Sequence, residues 1–466
     1  MNIIVFGVGD YFNSRKQTLE NRVNIVGYID NNPNVYGKHI AGIPIVKPEE
    51  ILTSRYDFIV IMSVFAFEMR QQLIELGVPK IKIKSYTEFY GELEKGKLTV
   101  WFGKNLNQDR RLSKILVIFN FMRYSSAFTL NLNIIDALKK EGFEVSVATA
   151  AGEVACIKEI QEKGITVLTY GNIHFAESKE LIWIKNFDCI IANNVYMVDC
   201  VSEISKLRPI IWWLHEPENY VKSTIELAEN YCEKNFDNID ICAVSEKARD
   251  DYWKCDNSKR IKILPIGIKD EGVVAEKAEE KKIVFAIIGY VGAIKGQDIF
   301  IEAIGRLSDA EKEFAEFWVI GHIGDVGYGL QIQEKARGER CIKILGEKNK
   351  QELSELYKEI DVVVIASRTE TLSLVAIEGM MHSKVCIVSD SAGIAEYISD
   401  GENGFLYRSE SIDGLANVMR WIILHRSHMN SIGQKSRTTY ENFFSLDSFS
   451  QRLKEEIQIC IRDWNS

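Results

Sequence analysis

The stretch Asp361-Val-Val-Val-Ile-Ala-Ser-Arg-Thr-Glu-Thr-Leu-Ser-Leu-Val-Ala-Ile-Glu378 decides the fold. A run of Val and Ile, a short polar turn and a segment of helical periodicity read as a buried parallel strand feeding a helix N-terminus. Such a junction is where α/β proteins hold anions, because the first-turn amides lack intrahelical acceptors. Glu370 falls in the turn and Glu378, eight positions on, about two turns along the helix. That placement leaves open a shared ligand and a plainer reading in which Glu370 stabilises the helix start and Glu378 lies on the surface.

Outward from this stretch the same alternation recurs. Strands are expected at 284–288, 317–320, 342–345, 362–365 and 385–388, and, before them, at 115–119, 144–148, 166–169, 189–192, 210–214, 241–244 and 261–264. Strand and helix in turn are the sequence form of a parallel sheet covered on both faces. Two Rossmann-like domains are expected, residues 114–275 and 276–445, joined through the charged segment 269–282, about which they would close. Residues 446–466 read as a last amphipathic helix. Residues 1–95 read as a third, smaller α/β unit, with strands at 3–6, 23–29 and 58–62, and residues 96–113, polar and mixed in charge, as a linker. In the small unit the spacing from Gly9 to Asp30 is near that of a dinucleotide fingerprint, but Phe12 stands where the third glycine belongs. A docking or oligomerisation role without ligand stays open beside nucleotide binding.

At 466 residues the chain is long enough for about three domains. With 46% apolar and 26% charged residues it is globular, and a net charge of -9 argues against a general nucleic-acid binder. The nine cysteines are scattered, odd in number and never Cys-x-x-Cys, which fits free thiols in a reducing compartment. No apolar run approaches the ~18–20 residues of a membrane span, so a soluble, cytoplasmic protein is expected. The basic residues of the linker leave open association with the inner face of a membrane.

Ligands of open α/β sheets bind beyond the carboxyl ends of the strands. Gly289-Tyr-Val-Gly-Ala-Ile-Lys295-Gly296 follows a strand and opens a helix. Glycines let backbone approach a phosphate, and the helix end and lysine supply positive charge. A glycine-rich turn followed by lysine is common, and alone it does not separate diphosphate binding from an ordinary turn. At Glu370 and Glu378 each carboxylate can accept two charge-assisted hydrogen bonds from vicinal sugar hydroxyls, while the amides of Ser373 and Leu374 can donate to phosphate or sugar oxygens. Ile211-Trp-Trp-Leu-His215-Glu216-Pro217 ends an apolar strand in a histidine able to bridge hydroxyls, with a satisfied structural histidine the open alternative. Tyr124-Ser-Ser126-Ala-Phe128 is a small-residue turn into a helix.

Together these motifs, with Val319-Ile-Gly321, Ile344-Leu-Gly346, Glu370-x7-Glu378-Gly-Met, Ser391-Ala-Gly393-Ile-Ala-Glu396 and Asn403-Gly404, resemble glycosyltransferase family 4, retaining enzymes of the GT-B fold. The small unit, through Gly27-Tyr-Ile-Asp30-Asn-Asn-Pro33 and Gly42-Ile-Pro-Ile-Val-Lys-Pro-Glu-Glu50, looks like the nucleotide-sugar or coenzyme-A binding module found beside sugar-modifying enzymes. The resemblance implies that Lys295 binds the donor diphosphate beside Gly289, and that Glu370, with the amides of Ser373 and Leu374, meets the donor sugar. It further places the ribose hydroxyls on Glu378, the base beside Leu345 and Gly346, Ser126 in the loop under the diphosphate, and His215 near donor sugar and acceptor. Tyr290 departs from the family's frequent arginine, Ser125-Ser126 from its glycine turn, and Leu264-Pro-Ile-Gly267 from its usual Asn before the glycine.

The implied activity is transfer of a hexose from a UDP- or GDP-sugar to a glycan or lipid-linked acceptor, in cell-surface polysaccharide synthesis. No metal is expected, since the chain holds no Asp-x-Asp, and no cofactor beyond the nucleotide sugar. A weakly catalytic scaffold whose N-terminal module recruits a partner, or makes homo-oligomers, is the alternative, with nucleotide-sugar 2-epimerase chemistry a further one.

Overall fold

The computed structural model describes residues 1–53, 55–63, 65–104, 112–124, 126–228, 236, 238–272 and 281–466. Three sheets succeed one another. The first contains β1 (Asn2–Phe6), β2 (Asn24–Ile29), β3 (His39–Ile40), β4 (Ile43–Val46), β5 (Phe58–Ile61) and β6 (Ile83–Ser85). Their order is β3-β4-β2-β1-β5-β6, parallel except for the β3–β4 pair. The second contains β7 (Leu98–Trp101), β8 (Lys114–Met122), β9 (Glu144–Gly152), β10 (Thr166–Tyr170), β11 (Cys189–Asn193), β12 (Ile210–Leu214), β13 (Ile239–Ala243) and β14 (Ile261–Ile263). It is ordered β14-β13-β12-β11-β8-β9-β10-β7. The third, ordered β17-β16-β15-β18-β19-β20, is built from β15 (Ile283–Ile288), β16 (Ala315–Ile320), β17 (Ile342–Gly346), β18 (Val362–Ile365), β19 (Val385–Ser389) and β20 (Phe405–Tyr407).

The apolar runs explain the parallel sheets. β12 and β18 are buried along their whole length, as strands covered by helices on both faces must be. In each sheet the order of the parallel strands reverses, between β1 and β5, β8 and β11, and β15 and β18. Those three switch points set where loops part to admit a ligand.

One expectation needs correction. Residues 96–113 are not a linker throughout, because β7 pairs antiparallel with β10 and closes the edge of the second sheet. Leu98-Thr-Val-Trp101 is a short β-favouring run whose strand character the surrounding lysines and glycines hide. The last amphipathic helix is present as Leu446–Asn465. It crosses back to the second sheet and buries Phe449, Leu453, Ile457 and Cys460 in that sheet's core. Spacings of four, four and three put those residues on one stripe, and each large apolar side chain so buried contributes roughly 1.5–3 kcal/mol.

The chain therefore crosses between the two large domains twice. The crossings lie side by side: Ile268 N donates to Phe444 O at 2.9 Å, and a Cβ on Gly267 would sit 2.6 Å from Ser445 O. Of the expected hinge at 269–282, residues 273–280 lie outside the described residues.

Candidate active site

The site is assembled by the loops that follow β15 and β18, neighbours at the third sheet's switch point. After β15 the chain turns at Gly289 (φ +136°) and again at Gly296 (φ +73°) before the helix Gln297–Ile304. At Gly296 a Cβ would sit 2.1 Å from Ala366 O, so only glycine lets the Lys295 loop lie against the end of β18. Arg368 holds the loops together from the other side. Its Nη1 and Nη2 bind the two oxygens of Asp298 at 3.0 and 2.8 Å, and its Nε donates to Glu410 Oε1 at 2.8 Å. Burial alone would raise the Asp298 pKa, but Arg368 and the Tyr328 hydroxyl hold it below the ordinary carboxylate range. A bidentate pair of this kind fixes geometry as well as charge.

Within this frame Lys295 Nζ lies 2.7 Å from Glu370 Oε1, and Ser367 Oγ donates to Glu370 Oε2 at 2.7 Å. Lys295, Ser367, Glu370 and Ser373 line one narrow crevice over the ends of β15 and β18. Ser373 is the N-cap of the helix Leu374–Met381, and its Oγ accepts from Ala376 N at 3.4 Å. Ser373 and Val375 of this turn line the same crevice. Glu378 sits one face further along that helix, where burial raises its pKa, and Tyr357 Oη donates to its Oε2 at 3.0 Å. The Tyr357 ring is itself fixed by stacking on His382, with centroids 4.4 Å apart. The two glutamates thus have separate surroundings, one paired with a cation and one held by a phenol.

His215, at the end of β12, comes from the second domain to the same place: its carbonyl accepts from Thr371 Oγ1 at 2.6 Å. Ser245 Oγ also donates to Thr371 O. The turn carrying Glu370 is therefore in contact with both domains. Burial lowers the His215 pKa to about 3, so the imidazole is neutral, and its Nε2 is buried without a partner among the described residues. Glu216 Oε2 accepts from Val195 N and His215 N at 3.0 and 3.1 Å, and burial pushes its pKa up to about 7.

Leu345 and Gly346 end β17, two strands away from β15, where Gly346 O accepts from Gly321 N at 2.9 Å. Ser126 is the first residue of the helix Ser126–Lys140 after β8, and Ser125 lies outside the described residues. The structure thus gathers Lys295, Glu370 and Ser373 in one crevice, brings the His215 carbonyl against the Glu370 turn, and leaves Gly289, Leu374, Glu378, Leu345, Gly346 and Ser126 outside the crevice lining. The sequence assigned no role to Arg368, Tyr357 or Thr371. Arg368 and Thr371 flank Glu370 and were findable by adjacency, and Tyr357 ends the stretch Leu353–Tyr357, itself one of the family-like elements.

Residues 269–439 match the family model of glycosyl transferases group 1, and residues 1–84 match the model named C2185-like, N-terminal. Solved structures with the same arrangement include Anabaena HepE in complex with UDP and glucose. That likeness has a TM-score of 0.61 at 18% identity and covers 74% of this chain and all of that one. The lipopolysaccharide outer core galactosyltransferase WaaB, with a TM-score of 0.59 at 17% identity, covers 74% of this chain and 99% of its own. The fold is GT-B. Among curated relatives, sulfoquinovosyl transferase SQD2 of Arabidopsis thaliana is 25% identical over 189 residues, 40% of this chain and 35% of that protein. An uncharacterized glycosyltransferase of Methanocaldococcus jannaschii is 26% identical over 280 residues, 57% of this chain and 74% of its own. The chain spans little more than a third of the plant relative and 37% of a D-inositol 3-phosphate glycosyltransferase of Corynebacterium aurimucosum. The GT-B part is preceded here by the small module of β1 to β6.

Proposed function

We propose that this protein is a retaining glycosyltransferase of family 4 type, moving a hexose from a UDP- or GDP-sugar to a glycan or lipid-linked acceptor in polysaccharide synthesis on the cytoplasmic side of a membrane. The observation that carries this reading is the meeting of Lys295, Glu370 and His215 where two parallel sheets face each other. The UDP and glucose held by HepE support a nucleotide-sugar donor.

On this reading the donor diphosphate takes Lys295 from Glu370, and the first-turn amides of Ser373 and Leu374 share its charge. Glu370, freed of its cation, accepts from the donor-sugar hydroxyls, with Ser367 fixing its orientation. Glu378, aimed by Tyr357, accepts from the ribose hydroxyls. The bond from the sugar's anomeric carbon to the diphosphate oxygen breaks as the acceptor oxygen bonds to the same face, and the acceptor proton passes to the departing phosphate. His215 serves as a neutral imidazole, bridging hydroxyls rather than adding charge. Contact between the domains at Thr371 excludes water from the reacting carbon. Charge relief comes from lysine and amides, so transfer is expected to persist in a chelator.

The test is turnover of labelled UDP- and GDP-sugars. Lys295→Ala and Glu378→Ala are each expected to abolish it while the far-ultraviolet circular dichroism stays native. Full activity in both variants refutes the reading.

A further inference from the structure

The segment Ser391-Ala-Gly393-Ile-Ala-Glu396 takes no part in lining the crevice, yet it runs along the turn that carries Glu370. Ser391 Oγ donates to Ser367 O and Gly393 N to Glu370 O, both at 2.8 Å, and Glu370 forms a parallel bridge with Ala392. A Cβ on Gly393 would lie 1.8 Å from Thr371 O and 2.7 Å from Ser245 Oγ, so only glycine lets three chains meet at this point. Ser245 belongs to the second domain. The Glu370 turn is therefore clasped between a segment of its own domain and the other domain.

The second domain reaches the turn at two neighbouring strand ends. β12 and β13 stay paired up to Leu214 and Ala243, and Val244 N donates to Leu214 O at 3.1 Å. Just beyond, His215 O accepts from Thr371 Oγ1 at 2.6 Å, and Ser245 Oγ donates to Thr371 O. Thr371 thus spends both its side chain and its carbonyl on the second domain. Its chain neighbour is Glu370, whose carboxylate meets Lys295.

Ser245 is fully buried and is also the N-cap of the helix Glu246–Trp253, its Oγ accepting from Ala248 N at 3.1 Å. A hydroxyl gives and takes at once, so this one side chain ties a helix start in one domain to a carbonyl in the other. At the rim of the contact Glu396 Oε2 accepts from Glu246 N at 3.1 Å, an amide that has no acceptor within its own helix. A buried carbonyl that loses its donor is costly, so the turn holds this position while both domains supply their halves of the contact.

We propose that Ser245 and Thr371 are positioning residues: their two-way hydrogen-bond bridge sets the turn carrying Glu370 and the strand end carrying His215 in one step as the two large domains meet. This rests on the transferase reading above. Neither residue touches the nucleotide, which Lys295 and Glu378 hold. The bridge supplies alignment of the sugar clamp with the histidine, and a clamp displaced by a fraction of an ångström still binds but reacts slowly. When the domains part, His215 O and Thr371 O lose their partners together.

The test uses the full chain with Ser245→Ala, Thr371→Val and, as the variant that keeps the hydroxyl, Thr371→Ser. Amide hydrogen exchange is read segment by segment. Ser245→Ala is expected to speed exchange over 368–374 in the other domain, and Thr371→Val over 213–216 in the second domain, with Thr371→Ser close to wild type. Nucleotide release from UDP-glucose or GDP-mannose should fall roughly 10- to 100-fold in Ser245→Ala and Thr371→Val, while affinity for uridine diphosphate or guanosine diphosphate stays within about twofold. Exchange speeded only within the substituted domain, release undiminished in both variants, or equal losses in Thr371→Ser and Thr371→Val overturns the proposal. Where wild type turns over neither sugar, exchange alone decides. If neither nucleotide binds wild type while exchange still spreads from one domain to the other, the transferase reading is at fault and the bridge stands.

Discussion

The switch point of the N-terminal module and that of the third sheet are built from the same grammar and end in opposite states. Each has a glycine turn after its first strand and an acid nearby. In the module the acid is used up: Asp30 Oδ2 accepts from Val8 N and its Oδ1 from Asn32 N, both at 2.8 Å. A Cβ on Gly7 would lie 2.9 Å from Met62 O, and Phe12, fully buried, meets Tyr28 edge-on at the place of the third glycine. The crevice is filled by its own side chains. In the third sheet a narrow crevice stays open, lined by the charged groups Lys295 and Glu370. The difference teaches that a Rossmann-like turn can serve as a ligand site where its charged groups pair with side chains that a ligand can displace, rather than with the turn's own backbone.

The largest effect should come from the open turn. Lys295→Ala removes the cation available to the diphosphate, and turnover should fall by roughly 100-fold or more, as for loss of one electrostatic donor in a dry site. A smaller fall would mean that the helix amides carry most of the charge.

Tyr357→Phe sharpens the comparison by removing one hydroxyl and keeping the stack on His382. Loss of a hydrogen bond to a charged group costs about 1.5–3 kcal/mol, so nucleotide affinity should drop roughly 10- to 100-fold. Because the Tyr357 bond lowers the Glu378 pKa against the raising effect of burial, the pH at which nucleotide binding sets in should move upward in the variant. An unchanged pH profile would reduce Tyr357 to a packing residue.

Asp30→Ala tests the filled turn. Two backbone amides lose their acceptor, which should lower stability by about 1–3 kcal/mol in denaturant unfolding while nucleotide stabilisation is kept. Loss of nucleotide binding would instead make the module a second nucleotide site.

The smallest effect concerns Glu216. Its folded-state pKa of about 7 lies above the ordinary carboxylate value, so its protonated form favours the folded state. That contribution is complete below about pH 4.5 and is lost as pH rises through 7. Glu216→Gln should flatten the melting temperature over this window, and a slope equal to wild type would contradict the assignment.

Much of this was legible beforehand. The buried runs at β12, β15 and β18 mark parallel strands by composition alone, and of the residues singled out by spacing Lys295 and Glu370 line one crevice whereas Gly289 and Glu378 do not. What stayed hidden depends on distant contacts. β7 is a strand because β10 offers an edge, and the helix Leu446–Asn465 belongs to the second domain because Phe449 and Leu453 find a core there. Tyr357 is made functional by a partner 21 residues away on another helix. Local periodicity has no access to such pairings.

The central claim, that the turn from Ser367 to Glu378 holds a nucleotide diphosphate, is tested most directly by the melting temperature of the full chain with and without uridine diphosphate or guanosine diphosphate. The account predicts stabilisation by one of them, about 2.7 kcal/mol at 100 times its dissociation constant, that vanishes in Glu378→Ala. No shift with either nucleotide, or a shift of equal size in Glu378→Ala, would contradict it.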